Sequence, residues 1–212
     1  MIWTPDREWE GQDAFLIGGG PSLSEFDFFL LKGLNTIGCN DAFRLGSEIV
    51  KICIFGDGGW WHRNKWSLDK YQGRVVTNSP TLMMFEVPGL LKMTRQKEGL
   101  GTSSALAWNF STGAMAINLA VSLGAARIFL LGYDVSNKNS KSHWHAHNPN
   151  PIKDASFARF LNGFKKVREC LPKNAQVLNV TDGGSALRVF PTMTFEAFYD
   201  VLASRLAHHA AA

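Results

Sequence analysis

Short apolar runs alternate with amphipathic stretches and polar breaks along the whole chain. Ala14–Ile17, Asn35–Cys39, Ile49–Phe55, Arg74–Thr77, Arg127–Leu131 and Gln176–Val180 each read as a strand. Ile49–Phe55 is nearly all apolar and rich in β-branched residues, the pattern of a central parallel strand buried on both faces. Helical patterns lie between these runs. Phe26–Leu31 is closed by Gly33, and Trp60–Lys70 follows the third strand. Ala114–Leu123 is opened by Ser111-Thr112-Gly113 and closed by Gly124. Asp154–Cys170 carries Phe157, Phe160, Leu161, Phe164 and Val167 on one face, with Asp154 placed to cap it. Phe195–Leu206 is a closing helix, and Ala42–Leu45 a turn or helical stub. Residues 79–104 show weak periodicity and scattered Pro and Gly, so they read as a long loop or small inserted lobe. Residues 135–153 are polar and predict an exposed loop. Strands alternating with helices imply one α/β domain over 1–212, Rossmann-like, with a mostly parallel twisted sheet and helices on both faces.

The polar residues cluster just after strands: Gly18–Ser22, Asn40, Asp57, Asp134 and Asp182–Ser185. In a doubly wound sheet the ligand crevice lies outside the carboxyl ends of the strands. The first strand runs directly into Gly18, Gly19, Gly20, Pro21 and Ser22. Glycines let the backbone turn tightly and approach a ligand, and Pro21 suits the first position of a helix. That strand–turn–helix predicts a seat for a phosphate at the free N–H groups of the first helical turn. It is not a P-loop, for no Lys-Ser/Thr pair follows, and the dinucleotide fingerprint fails where Leu23 replaces the last glycine.

A chain of 212 residues suits one sizeable domain, and no apolar run is long enough to span a bilayer. Met1–Pro5 lacks the pattern of a signal peptide. Three cysteines, Cys39, Cys53 and Cys170, have no metal-ligand spacing, and two fall in strands. They read as free thiols of a reducing, cytoplasmic compartment. A net charge of +4 favours acidic ligands such as nucleotides and is compatible with nucleic acid.

Several residues carry a chemical and a plain reading side by side. Asn40 can address a nucleotide base or ribose, or hold a turn. Asp57 can reach a ribose hydroxyl, a metal or an amine, or make an Asp-Gly turn. Ser111, Thr112 and Gly113 offer hydroxyls and N–H groups to an anion, or simply cap a helix. His143, His145 and His147 alternate in Ser142-His-Trp-His-Ala-His147. They can supply a general base, a metal site or a solvated loop. Trp60, Trp61 and Trp66 can stack on a sugar or base, or fill the core.

In order along the chain stand Gly18-Gly-Gly-Pro-Ser-Leu23, Gly38-Cys-Asn40, Ser111-Thr-Gly113, Gly132-Tyr-Asp134 and Ser142-His-xxx-His147, then Asn179–Leu187. This order resembles bacterial sialyltransferases that modify lipooligosaccharide. It is also similar to the MptE-like family that pyrophosphorylates 6-hydroxymethyl-dihydropterin. Phage and prophage proteins share the leading tryptophan segment, the glycine loop and an Asp-x-x-Trp-Trp segment like Asp57–Trp61. The resemblance implies that Gly18–Ser22, Thr112 and Gly113 hold the nucleotide, that Asn40 and Asp57 address it, and that His147 is the general base. Asp134 joins the nucleotide site by its place at the Gly-Tyr-Asp strand end. Gly19 departs from the asparagine of the sialyltransferase loop, Asn109 stands near their arginine, and their paired tyrosines are missing.

The expected function is therefore a metal-independent, nucleotide-sugar-dependent glycosyltransferase, a phage-type protein acting on a glycan or a modified nucleic-acid base. One alternative is an ATP-dependent diphosphokinase using Mg²⁺ at Asp57 and Asp134. Another is a non-catalytic nucleotide or nucleic-acid binding protein. The oligomeric state stays open.

Overall fold

The computed structural model describes residues 1–137, 143–147 and 152–210. Strands are β1 (Asp13–Ile17), β2 (Thr36–Cys39), β3 (Ile52–Phe55), β4 (Arg74–Thr77), β5 (Leu90–Lys92), β6 (Thr94–Gln96), β7 (Ala105–Ala107), β8 (Arg127–Leu131), β9 (Gln176–Val180) and β10 (Thr192–Met193). Helices are α1 (Gly58–Leu68), α2 (Pro80–Met83), α3 (Thr112–Ser122), α4 (Asp154–Cys170) and α5 (Phe195–Ala210). Eight strands form one sheet in the order β10-β9-β8-β1-β2-β3-β4-β5, and β6 and β7 form a small second sheet. Every pairing is parallel. The fold is α/β and Rossmann-like, as the alternation of patterns implied. Among the described residues no helix is long and apolar enough to cross a membrane.

The two faces follow from the period-2 alternation of the strands. Ala14, Leu16, Ile128 and Leu130 pack with Met115 and Leu119 of α3 and with Phe164 and Val167 of α4. Phe15, Ile17, Phe129 and Leu131 face the other way, onto Phe198 and Leu202 of α5. The Phe15 and Phe129 rings stack at 5.3 Å on that side. α1 covers the same face further along, where Phe55, Trp60 and Leu68 meet. At the amino end of β1, Asp13 is buried and takes a bidentate pair from Arg127 at 2.8 and 2.7 Å, and it also pairs with Arg205. That pairing fastens α5 at the edge away from the strand carboxyl ends.

Several boundaries differ from the sequence reading. Ile49 and Val50 are not strand; their N–H groups bond back to Gly46 O and close a turn. Pro21 begins only a single 3₁₀ turn, Pro21–Leu23, and Phe28–Leu31 is a second 3₁₀ turn rather than an α-helix. The second turn restarts because Asp27 Oδ1 accepts from Phe29 N at 3.0 Å, a local side-chain bond that competes with helix continuation. α1 starts two residues before Trp60, with Asp57 as its cap. α4 starts at Asp154 itself, so Lys153 holds the cap position and Asp154 is not the cap. The side chain of Asp154 lies outside the described residues. Residues 79–104 carry α2, β5 and β6.

The topology fixes where a ligand can sit. From β1 the chain steps outward through β2 to β5, then returns to the other side of β1 as β8. Ile17 thus lies between Gly38 and Leu131. This reversal of strand order leaves a crevice at the carboxyl ends of β1 and β8.

Candidate functional site

A cleft of about 510 Å³ opens over that switch point, within the usual size range for a small-molecule site. Gly18, Gly19, Gly20, Asn40, Asp57, Ser111, Thr112, Gly113, His143 and His145 all line it. Pro21, Ser22, Asp134 and His147 do not.

The glycine loop differs from the expected phosphate cradle. Gly18 N donates to Leu131 O and Gly20 N to Gly132 O, both at 2.8 Å. Ser22 N donates to Asp134 Oδ2 at 2.7 Å. Three of the loop's amides are therefore already bonded, one of them to a carboxylate of the chain itself. Asp134 is buried behind the loop, which corrects its assignment as a nucleotide contact. Ser22 Oγ is shielded from solvent without a partner among the described residues. The missing side chains have an internal reason. A Cβ on Gly18 would lie 2.6 Å from Gly132 O, and one on Gly20 would lie 2.5 Å from Asp134 Oδ2. A Cβ on Gly19 would lie 2.7 Å from His143 Nδ1. The triple glycine is where three segments interlock.

Trp144 makes the third segment stay. Its backbone N donates to Gly19 O at 2.9 Å, and its Nε1 donates to Gly18 O at 2.9 Å. Its ring packs on Phe28 at 4.7 Å. The strap 143–147 is thereby held over the glycine loop, with His143 and His145 in the cleft and His147 exposed beside it. The imidazoles lie in series, His143 stacked on His145 at 5.2 Å and His147 tilted against His145 at 5.4 Å. Burial pushes the His143 imidazole below its ordinary value, against the pull of Asp41. Burial takes His145 down to about 4, with Asp41 again opposing. His145 Nδ1 is shielded and has no hydrogen-bond partner among the described residues. Among the described residues no three His, Cys, Asp or Glu side chains converge as metal ligands. Ser142 of the same motif lies outside the described residues.

The start of α3 is a second candidate anion seat. Ser111 caps it, its Oγ accepting from Ala114 N at 3.3 Å. The positive end of the helix dipole and the amides of Thr112 and Gly113 face the cleft. The approach is strained, for Asn109 and Phe110 have φ of +48° and +56°. Asn109 tolerates this because it is buried and clamps Gly99, accepting from its N–H at 2.8 Å and donating to its carbonyl at 2.9 Å. Asn109 is thus structural and does not face the cleft. Asn40, also left-handed with φ of +52°, ends β2 at the cleft wall. Asp57 Oδ1 accepts from Gly59 N at 2.8 Å, so it caps α1 while remaining exposed to the cleft.

Other lining residues, Trp60 apart, were not singled out from the sequence. Tyr133 is buried beneath the cleft and donates to Gly113 O at 3.3 Å, with its hydroxyl 3.7 Å from Cys39 Sγ. Burial raises the Tyr133 phenol well above its usual range and pushes the Cys39 thiol up to about 12. Neither is a nucleophile or base at neutral pH. Trp60 lines the cleft and donates to Asp41 Oδ2 at 3.1 Å, and Arg44 pairs with the same carboxylate at 3.4 Å. Trp61 instead stacks on Phe55 at 5.5 Å, and Trp66 is exposed. Trp108 and Phe110 add aromatic faces, joined by Phe157 and Phe160 of α4. The amphipathic stripe of α4 was visible in sequence, but Phe157, Phe160 and Phe164 line the cleft, while Phe164 and Val167, with Phe160 and Leu161 against them, belong to the core cluster that contains α3. Arg63 and Arg159 complete the lining.

No protein-family model and no curated protein matches the chain. Solved structures do share its fold. The sialyltransferase CstII from Campylobacter jejuni, in complex with the substrate analogue cytidine-5'-monophosphate, superposes with a TM-score of 0.51 at 13% identity, over 87% of this chain and 85% of that one. The monofunctional α-2,3-sialyltransferase Cst-I from the same organism gives a TM-score of 0.55 at 13% identity, over 86% and 80% of the two chains. An apo α-2,3-sialyltransferase from C. jejuni gives a TM-score of 0.51 at 15% identity, over 89% and 84%.

Proposed function

We propose that the chain is a glycosyltransferase that uses a nucleotide-sugar donor. The observation that carries this reading is the convergence of Asn40, Asp57, the start of α3 and the histidine strap on one cleft at the topological switch. The fold is shared with sialyltransferases, among them CstII, solved with cytidine-5'-monophosphate and, in another structure, with CMP and a trisaccharide acceptor. In this reading the donor phosphate sits at the Thr112 and Gly113 amides, with the Ser111 and Thr112 hydroxyls beside it. The Asn40 amide and the Asp57 carboxylate address the nucleoside. The acceptor oxygen attacks the anomeric carbon, the bond from that carbon to the phosphate oxygen breaks, and the phosphate leaves with the electron pair. The acceptor proton passes to a histidine. We assign that role to His147, which is exposed next to the strap's cleft-lining histidines, whereas burial holds His145 too low to be an effective base near neutral pH. His143 and His145, neutral there, serve as hydrogen-bonding walls.

The diphosphokinase alternative needs Asp57 and Asp134 to share a metal. Asp134 is committed to Ser22 N behind the glycine loop while Asp57 faces the cleft, so the pair does not converge. A thermal-shift panel of CMP, UMP, AMP and GMP tests the glycosyltransferase reading. A nucleotide at a hundredfold excess over its Kd should raise Tm by roughly 5–10 °C. No shift with any nucleotide at millimolar concentration would remove the donor site. Binding without turnover of any nucleotide sugar would leave a binding module.

A further inference from the structure

Two guanidinium groups of the cleft have no part in the reading above. Arg63 comes from α1 and Arg159 from α4, helices that pack on opposite faces of the sheet, and both reach the same cleft. Both are exposed. Most other arginines are already engaged. Arg7, Arg44, Arg74, Arg127 and Arg205 each pair with a carboxylate. Arg95 spends its donors on the carbonyls of Gly56 and Asn78, at 2.7 and 3.1 Å. Among the described residues neither Arg63 nor Arg159 has an ion pair, and Arg159 makes one long bond, to Ser156 Oγ at 3.4 Å. Asp57, the exposed carboxylate of the lining, caps α1 and forms no ion pair with Arg63 among the described residues.

The start of α3 is a separate anion seat near the glycine loop, suited to the donor phosphate. Phe110, Phe157 and Phe160 line the same cleft, offering flat apolar surfaces on which a sugar ring can rest. The planar fork of a guanidinium matches a carboxylate or phosphate better than any neutral hydroxyl. We propose that the acceptor is an acidic glycan, whose carboxylate or phosphate is held by Arg63 and Arg159 while its ring lies on this aromatic wall. The proposal rests on the glycosyltransferase reading, and it adds the chemical class of the second substrate.

The test is calorimetric titration of the full chain, with and without saturating CMP. The probes are glucuronic acid for the carboxylate, glucose 6-phosphate for the phosphate, and glucose as the neutral control. At least one acid should bind about tenfold tighter than glucose, and raising NaCl from about 0.05 to about 0.5 M should weaken the acid alone. Arg63→Ala and Arg159→Ala should each lose about five- to tenfold in acid affinity. Arg63→Lys and Arg159→Lys should keep part of it, and CMP affinity should stay within about twofold in all four variants. Glucose binding as tightly as both acids would overturn the proposal. So would a loss of CMP affinity in the alanine variants as large as the loss for the acid, since the arginines would then serve the donor. Failure of CMP to bind the wild-type chain would count against the donor site, while the acid preference measured without CMP still decides the role of the arginines.

Discussion

Alanine placed at each of the three adjacent glycines should give two kinds of outcome. At Gly18 and Gly20 the new Cβ meets atoms that cannot retreat. Gly132 O is 2.6 Å away in both cases, and Asp134 Oδ2 is 2.5 Å from the Cβ at position 20. Gly132 O is itself bonded to Gly20 N, so moving it breaks the join between β1 and β8. Overpacking of this kind costs about 1–3 kcal/mol, which for a chain of this size lowers Tm by roughly 3–10 °C. At Gly19 the obstacle is the His143 ring, 2.7 Å away, a side chain that can swing out. Gly19 also has no positive φ, so alanine regains about 0.4–1 kcal/mol through the unfolded chain. Gly19→Ala should therefore change stability by less than about 1 kcal/mol yet expel His143 from the cleft. The assay is a denaturation midpoint for each variant together with NMR titration of His143. Burial depresses that imidazole, so release should raise its pKa toward the ordinary value and reduce nucleotide affinity. If Gly19→Ala unfolds as readily as Gly20→Ala, or leaves the His143 titration unchanged, the interlocking of strap and loop is wrong.

Trp144→Phe keeps the ring on Phe28 but removes the Nε1 donor to the buried Gly18 carbonyl. It should cost about 1–3 kcal/mol, read from urea midpoints at constant m-value. His147→Ala should lower turnover by roughly 10²- to 10⁴-fold with CMP affinity nearly intact, and a chelator should leave wild-type turnover unchanged. Comparable losses in His143→Ala and His145→Ala together with chelator sensitivity would point to a metal site instead. Because His145 is lowered in the folded state to about 4 from its ordinary 6.5, the unfolded chain binds the extra proton first. The stability it supports is full above about 6.5 and is lost as pH falls toward about 4. Thermal melts across that range should show a slope that flattens in His145→Ala.

The sheet was readable because its code is local. Runs such as Ile52–Phe55 and residues 128–131 are buried on both faces and therefore apolar at every position, and the polar residues behind them mark the carboxyl edge. The short edge strands Leu90–Lys92 and Thr192–Met193 left no such trace, since two or three residues carry no period. That Asn40, Asp57 and residues 111–113 fall on one cleft was similarly legible from their places after strands and at a helix start. What each of them faces was not. Glycine at 18, 19 and 20 signals only that side chains are excluded, and in sequence the excluding partner looks the same whether it is a phosphate or the chain's own backbone, carboxylate and imidazole. Contacts 112 residues apart, such as Ser22 N to Asp134, decided that question. Tertiary structure likewise bonded three amides of the glycine loop internally, turned Phe157 and Phe160 of the α4 stripe toward the cleft, and brought Arg63 and Arg159 to it from opposite faces of the sheet. These outcomes depend on which surfaces meet, and a one-dimensional pattern of apolar and polar residues does not encode that.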